Sequence, residues 1–175
     1  MSDTGPNALR LVRWTVTAGS SVNSRAAVVL RAANHDWQAS AEGNGAVDAL
    51  LRAVNLALAD VLGGEPRLLA YDVHALAEGP DAEGRVTVQV GAPPEAAGDR
   101  AGGRSTGEVA STNIVAASVE AYVVALNAML AGASWVGAAE DAAARRGRPG
   151  GGEPGPDDAE YVHGRSIDTT AWFNR

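Results

Sequence analysis

The sequence predicts an α+β domain built from two strand-strand-strand-helix units, with antiparallel sheets packed against two helices. Several short runs alternate apolar with polar residues, and two longer segments carry apolar residues at helical spacing. These segments follow one another in the order strands, helix, strands, helix. We therefore expect one supersecondary unit used twice, related by pseudo-symmetry.

The first unit is predicted from a change of period along the chain. Residues Leu9 to Ala18 alternate, and Arg25 to Ala33 with His35 to Ala41 form two strand-like runs around a turn-prone segment. Helical spacing then begins at Val47 and continues to Leu62. Gly63-Gly64 is typical of a helix end, so we expect one helix across this range.

The second unit repeats this order. Strands are predicted at Arg67 to Ala77, at Arg85 to Val90 and in a short run from Arg104 to Val109, the last after a Gly- and Pro-rich loop. A helix with a broad apolar face should follow, capped by Ser111 or Thr112, and should end near Gly132.

The sequence also suggests boundaries for the folded part. We expect a flexible N-terminus over residues 1–8, the folded domain over 9–135, a disordered C-terminal linker over 136–160 and an aromatic tail over 161–175 that packs on a surface or a partner. The linker is rich in Gly, Pro and charged residues and contains too little apolar area to offset its ordering entropy.

Composition and charge exclude several classes of function. The chain has 175 residues, a formal net charge of -7 and no cysteine. Negative charge disfavours nucleic acid as a partner, and the absence of cysteine excludes a disulfide scaffold. Without a signal-peptide pattern or an apolar run of about 20 residues, we expect a cytoplasmic location and no membrane partner.

No residue pattern indicates catalysis or a bound cofactor. His35, His74 and His163 do not occur at metal-ligand spacing, and no phosphate-binding loop, dinucleotide fingerprint or nucleophile elbow is present. We therefore expect no catalytic residues, no metal and no cofactor. For His74 on its strand, a surface or hydrogen-bonded structural role is favoured over catalysis.

Gly43-Asn44-Gly45 is the most informative short motif because it joins a strand to a helix start. Unpaired N–H groups and the helix dipole favour an anion there, and glycine allows close approach of the backbone. The other interpretation is a tight turn with Asn44 as a local cap. Asp48, one turn further on, is either an acid that stabilises the first turn or a partner for a ligand ammonium group.

Three segments together resemble a known family, the C-terminal allosteric (leucine-sensing, dimerising) domain of 2-isopropylmalate synthase and the related citramalate synthases. The segments are EGNGAVDALLRAVN, LLAYDVHALAEGPDAEGRVTVQV and TGEVASTNIVAASVEAYVVALNAML. The resemblance extends from about Leu9 to Leu130. It implies two pseudo-symmetric units, dimerisation and an amino-acid site at the interface.

The resemblance also implies a set of ligand-binding residues. They lie near the two helix starts and on a neighbouring strand: Gly43, Asn44, Gly45, Val47, Asp48, Tyr71, Ala75, Asn113, Ile114 and Ala117. The catalytic metal-dependent barrel of the synthases does not match any part of the chain, so no enzymatic activity is expected. The second unit reads Gly107-Glu108-Val109 where many relatives repeat Gly-x-Gly, so the two halves of the site should differ.

Two functions of different class follow from these observations. The first is a stand-alone regulatory domain that binds a branched-chain amino acid, leucine first, and dimerises with itself or pairs with a synthase chain. The second is an assembly module without an effector, serving a separate synthase chain. An enzyme acting alone is disfavoured, and the chain as a fragment of a longer gene product stays open.

Overall fold

The computed structural model describes residues 8–79, 81–94 and 103–131, and it confirms the predicted α+β architecture. The first unit contains β1 (Arg10–Gly19), β2 (Val22–Ala32), β3 (His35–Gly43), α1 (Ala46–Ala57) and the short α2 (Ala59–Leu62). The second contains β4 (Arg67–Ala75), β5 (Gly84–Gly91), β6 (Arg104–Ser111) and the long α3 (Ile114–Leu130). The predicted N-terminal segment before residue 8, the linker and the aromatic tail lie outside the described residues.

Each unit is a three-stranded antiparallel sheet, ordered β1-β2-β3 in one and β4-β5-β6 in the other. α1 packs on the first sheet, α3 packs on the second, and the two helices contact each other. One continuous hydrophobic core results. It is built mainly from small aliphatic side chains, with Trp37 and Tyr122 as the large buried aromatics.

The strand registers show that the two units are internal repeats. A β-bulge interrupts β1 between Leu11 and Arg13, and another interrupts β4 between Leu68 and Ala70. Beyond the bulge, Trp14 pairs with Val28 in the first sheet, and Tyr71 pairs with Val88 in the second. Trp14 and Tyr71 therefore occupy equivalent positions in the two units.

The prediction of one continuous first helix is wrong. The first helical segment is not continuous to Leu62: α1 ends at Ala57, and α2 follows after Leu58, whose backbone dihedrals are φ -101° and ψ 12°. Gly63, with φ 64°, then ends α2 in the left-handed conformation that glycine favours. Leu58 is fully buried and carries no helix-breaking side chain, so the sequence does not mark this break.

The cap of α3 also differs from the prediction. Asn113, rather than Ser111 or Thr112, is the N-cap, and its side-chain oxygen accepts a hydrogen bond from Ala116 N at 3.1 Å. Ser111 lies two residues before this cap, and its Oγ accepts a hydrogen bond from the backbone N–H of Asn113 at 3.1 Å. Two polar side chains thus satisfy consecutive backbone groups at this helix start.

The end of α3 holds the chain where it enters β1. Leu9 N donates to Asn127 Oδ1 and Asn127 Nδ2 donates to Leu9 O, both at 2.8 Å. Replacing Asn127 with Leu would leave both backbone groups of Leu9 unpaired in a partly buried position. We expect a loss of about 2–4 kcal/mol in the free energy of unfolding, measured by urea denaturation.

Asn127→Asp provides the matched control for this prediction. It keeps an acceptor for Leu9 N but places a second carboxylate oxygen against Leu9 O, so stability should also fall while the bond to Leu9 N is retained. Amide hydrogen exchange at Leu9 should accelerate strongly only in Asn127→Leu. Equal exchange rates at Leu9 in the two variants would contradict the assigned bonds.

No helix within the described part of the chain is long and apolar enough to cross a membrane.

Candidate functional site

The predicted site residues form two sets, one at the start of each helix. The α1 set contains Gly43, Asn44, Gly45, Val47 and Asp48, and the α3 set contains Tyr71, Ala75, Asn113, Ile114 and Ala117. The equivalent strand registers place Gly43 opposite Ser24 and Ser111 opposite Gly84. Ser111-Thr112-Asn113 is therefore the structural counterpart of Gly43-Asn44-Gly45.

The two glycines of the first motif have different roles. A Cβ on Gly43 would lie 2.5 Å from Ala49 N and 2.7 Å from Asp48 Oδ2, so only glycine allows α1 to start this close to the strand. A Cβ on Gly45 would meet nothing within 4 Å. Gly45 is the N-cap of α1 with φ -155°, an extended conformation open to any residue.

This difference predicts the outcome of a matched pair of substitutions. Gly43→Ser should lower the free energy of unfolding by about 3 kcal/mol, because the new Cβ collides with helix backbone. Gly45→Ser should change it by only a few tenths of a kcal/mol, since serine is at least as good an N-cap as glycine. Urea denaturation of both variants measures the difference, and equal losses would show that Gly43 is not a packing position.

Asp48 folds back over the start of α1. Its Oδ2 accepts from Asn44 N at 2.9 Å, and its Oδ1 accepts from Arg52 Nε at 2.9 Å. The bond from the Asn44 backbone, followed by that from Arg52, lowers the pKa of the Asp48 carboxyl. The expectation that Asn44 caps the helix is wrong. Gly45 is the N-cap of α1, and Asn44 contributes only its backbone N–H, which donates to Asp48.

The α3 set is joined by a hydrogen-bond chain that sequence analysis did not identify. Tyr71 Oη lies 2.7 Å from Ser118 Oγ, and Ser118 Oγ donates to Ile114 O at 2.6 Å. Because the single hydroxyl hydrogen of Ser118 is used on Ile114, Tyr71 is the donor to Ser118. β4 is thereby fastened to the first turn of α3.

β4 exposes apolar residues on the face of the second sheet that is buried in the neighbouring strand β5. Its partners across the sheet, Val86, Val88 and Val90, are fully buried beneath α3, which packs on β5 and β6. Their neighbours on β4 are nevertheless exposed: Leu68 by 50%, Tyr71 by 37% and Val73 by 43%. These three residues and Ala75 are called the inner face of β4 below.

The inner face of β4 and the α3 start form one surface. Ile114 packs over Gly84, the strand partner of Ala75, and Val73 lies beside the same glycine. Tyr71, Ala75 and Ile114 are thus brought together. Ala117 is fully buried, so it supports this surface from within.

The two sets lie on different sheets, and neither of two surface hollows near them combines residues of both sets. A hollow of about 550 Å³ lies at the β4–β5 turn, between Leu76 and Glu83. Another of about 280 Å³ lies where α1 meets the start of β4, with Asp48 as its only predicted site residue. Its base is Tyr122, whose Oη donates to Asn55 Oδ1 at 2.6 Å, and burial raises the pKa of that phenol.

A family model described as the LeuA allosteric (dimerisation) domain matches residues 2–130. The chain belongs to this family. Within it, the chain is 36% identical to a 2-isopropylmalate synthase of Methylobacterium nodulans over 132 residues, which is 75% of this chain and 23% of that protein. A 2-isopropylmalate synthase of Prochlorococcus marinus (strain MIT 9303) is 40% identical over 128 residues, or 71% and 21%.

A third relative, the 2-isopropylmalate synthase of Aquifex aeolicus, is 34% identical over 119 residues, covering 68% of this chain and 21% of that protein. The chain therefore spans about a fifth of the length of these curated relatives. The family resemblance found in the sequence is confirmed. In this LeuA-type domain, Gly107 lies in the middle of β6 rather than at a helix start.

Proposed function

We propose that this chain is a regulatory domain of leucine biosynthesis that binds a branched-chain amino acid, leucine foremost, and self-associates or pairs with a 2-isopropylmalate synthase chain. The main support for the proposal is that Tyr71, Ala75 and Ile114 lie together on an uncovered apolar face beside the start of α3. An aliphatic side chain fits such a surface, and its burial is favourable.

The charges at the two helix starts support a zwitterionic ligand. The first turn of α3 carries no acidic residue, so its N–H groups and dipole favour a carboxylate. The first turn of α1 carries Asp48, an acceptor suited to an ammonium group. The two helix starts therefore favour opposite charges, a carboxylate at α3 and an ammonium group at α1.

A second copy of this chain is the proposed cover for the inner face of β4. The face contains no charged side chain, so two copies can approach there although each carries a net charge of -7. The family description names dimerisation, in agreement with an isologous contact. A stable interface buries about 800 Å² per partner, so the contact must extend from β4 onto neighbouring elements.

Titration calorimetry with leucine, isoleucine and valine tests ligand binding. We expect heat with at least one of them and a stabilisation of about 2.7 kcal/mol when the ligand concentration is a hundred times Kd. Ile114→Asp should abolish the heat, because it places a carboxylate on the ligand surface. His74→Ala, on the opposite face of β4, is the control and should bind normally. No heat and no thermal shift with all three amino acids would overturn the proposal.

An assembly module without an effector is the second candidate function. Asp48 already accepts from Asn44 N and Arg52 within the chain, so the α1 start is satisfied without a ligand. This function requires a dimer, or a complex with a synthase chain, that forms equally well with and without leucine. Sedimentation of the protein in both conditions distinguishes the two candidates.

A further inference from the structure

We propose that Trp14 is a ligand-contacting residue, the aromatic wall of the site at the start of α1, as Tyr71 is at the start of α3. The inference rests on the proposed function and adds to it a residue that determines specificity in the first unit. Neither the family resemblance nor the spacing of residues along the chain identified Trp14 as a site residue.

The internal repeat places Trp14 there. Leu11 pairs with Leu30 ahead of the bulge in β1, and Leu68 pairs with Val90 ahead of the bulge in β4. The next inward-facing residue after each bulge is an aromatic one, Trp14 or Tyr71. Both rings therefore stand on the helix-facing side of the first strand of their unit.

The helix residues at equivalent positions next to the two rings differ in polarity. The fifth residue of α3 is Ser118, which accepts from Tyr71, whereas the fifth residue of α1 is the fully buried Leu50. Trp14 is half-buried and packs against the core, and β1 contacts α1 directly. The position equivalent to the hydroxyl of Ser118 is thus occupied by an apolar side chain in the first unit.

This difference assigns a class of ligand group to each wall. The Trp14 wall presents a large aromatic surface without a hydroxyl, which suits the apolar carbon atoms next to the ammonium group of an amino acid. Asp48 at the same helix start accepts from the ammonium group of that ligand. The Tyr71 hydroxyl is already donated to Ser118, so Tyr71 offers a ring edge and an acceptor oxygen instead.

Tryptophan emission and calorimetry on the full chain test the inference. The sequence contains four tryptophans, Trp14, Trp37, Trp135 and Trp172. We expect leucine, isoleucine or valine to change the emission of the wild-type protein, and this change to disappear in Trp14→Phe. Trp37→Phe is the matched control, because Trp37 is 1% exposed on β3 and should leave the ligand-induced change intact.

Affinity gives the second readout. Trp14→Ala should raise the Kd for the amino acid at least tenfold, while Trp14→Phe, which keeps an aromatic wall, should raise it less than threefold. Circular dichroism and thermal melting check that both variants fold. If the wild type binds and Trp14→Ala binds equally well, the role of Trp14 is overturned while the proposed function stands. If the wild type gives no heat with any of the three amino acids, both fail.

Discussion

Gly107→Ala should lower the free energy of unfolding by more than about 3 kcal/mol, the upper end of the range for overpacked cores. Gly107 lies in β6 opposite Val88, directly beneath α3. A Cβ there would lie 2.5 Å from Ala125 N and closer still to the carbonyl oxygen of Ala121. These neighbours are backbone atoms of a long helix, so relief requires the whole helix to move away from the sheet.

The effect should spread beyond the substituted position. Lifting α3 from β6 would disturb the fully buried Val86 and Val88, and it would strain the bond between Tyr71 and Ser118 at the start of the helix. Urea denaturation of Gly107→Ala measures the loss of stability. Gly45→Ser is the control, because the added Cβ is in open space. A midpoint for Gly107→Ala close to that of the wild type would show that α3 does not sit on this strand as described.

Periodicity predicted the secondary structure well because it reflects burial on one face. The alternating runs of unit one and the helical spacing from Val47 identified the elements, with ends displaced by one or two residues in most cases. The break at Leu58 was not predictable, since a buried leucine is compatible with either conformation. The N-cap of α3 was misplaced by one or two residues because Ser, Thr and Asn are all good caps and stand side by side.

The candidate site depends more on long-range contacts, which no local pattern reports. Tyr71 and Ser118 are 47 residues apart in sequence, yet their hydroxyls are hydrogen-bonded. Gly107 appeared to be a variant of the Gly-x-Gly motif, and its actual constraint comes from Ala121 and Ala125 on a later helix. The ion pair between Asp48 and Arg52 is local, at a four-residue spacing within a helix, but the sequence analysis named Asp48 only as a first-turn acid or a partner for a ligand ammonium group.

The uncovered inner face of β4 illustrates the same limit. Alternation shows which residues of a strand share a face, but it does not show whether another element covers that face. β1 and β4 are equivalent strands, and Leu11, Trp14 and Val16 on β1 are half-buried against the core. The corresponding residues of β4 are exposed, so the two units differ in packing although their registers match.

Val73→Asp should weaken self-association at least a hundredfold, the second large effect expected from the structure. Val73 is 43% exposed in the middle of the inner face of β4, next to Tyr71 and beside Gly84. In the proposed dimer this position is buried, and a carboxylate placed there would lose its hydration without an opposite charge nearby. A hundredfold change corresponds to about 2.8 kcal/mol in the free energy of association.

Val22→Asp is the matched control for the inner face. It makes the same change of side chain and of net charge at a valine that is 62% exposed at the start of β2, away from β4. Sedimentation equilibrium should give monomers for Val73→Asp at concentrations where the wild type and Val22→Asp are dimers, with unchanged circular dichroism in all three. Equal dissociation constants for the two aspartate variants would place the interface elsewhere. Because Val73 adjoins Tyr71 and Ile114, loss of the dimer should also reduce amino-acid binding, which would link assembly and ligand recognition through one strand.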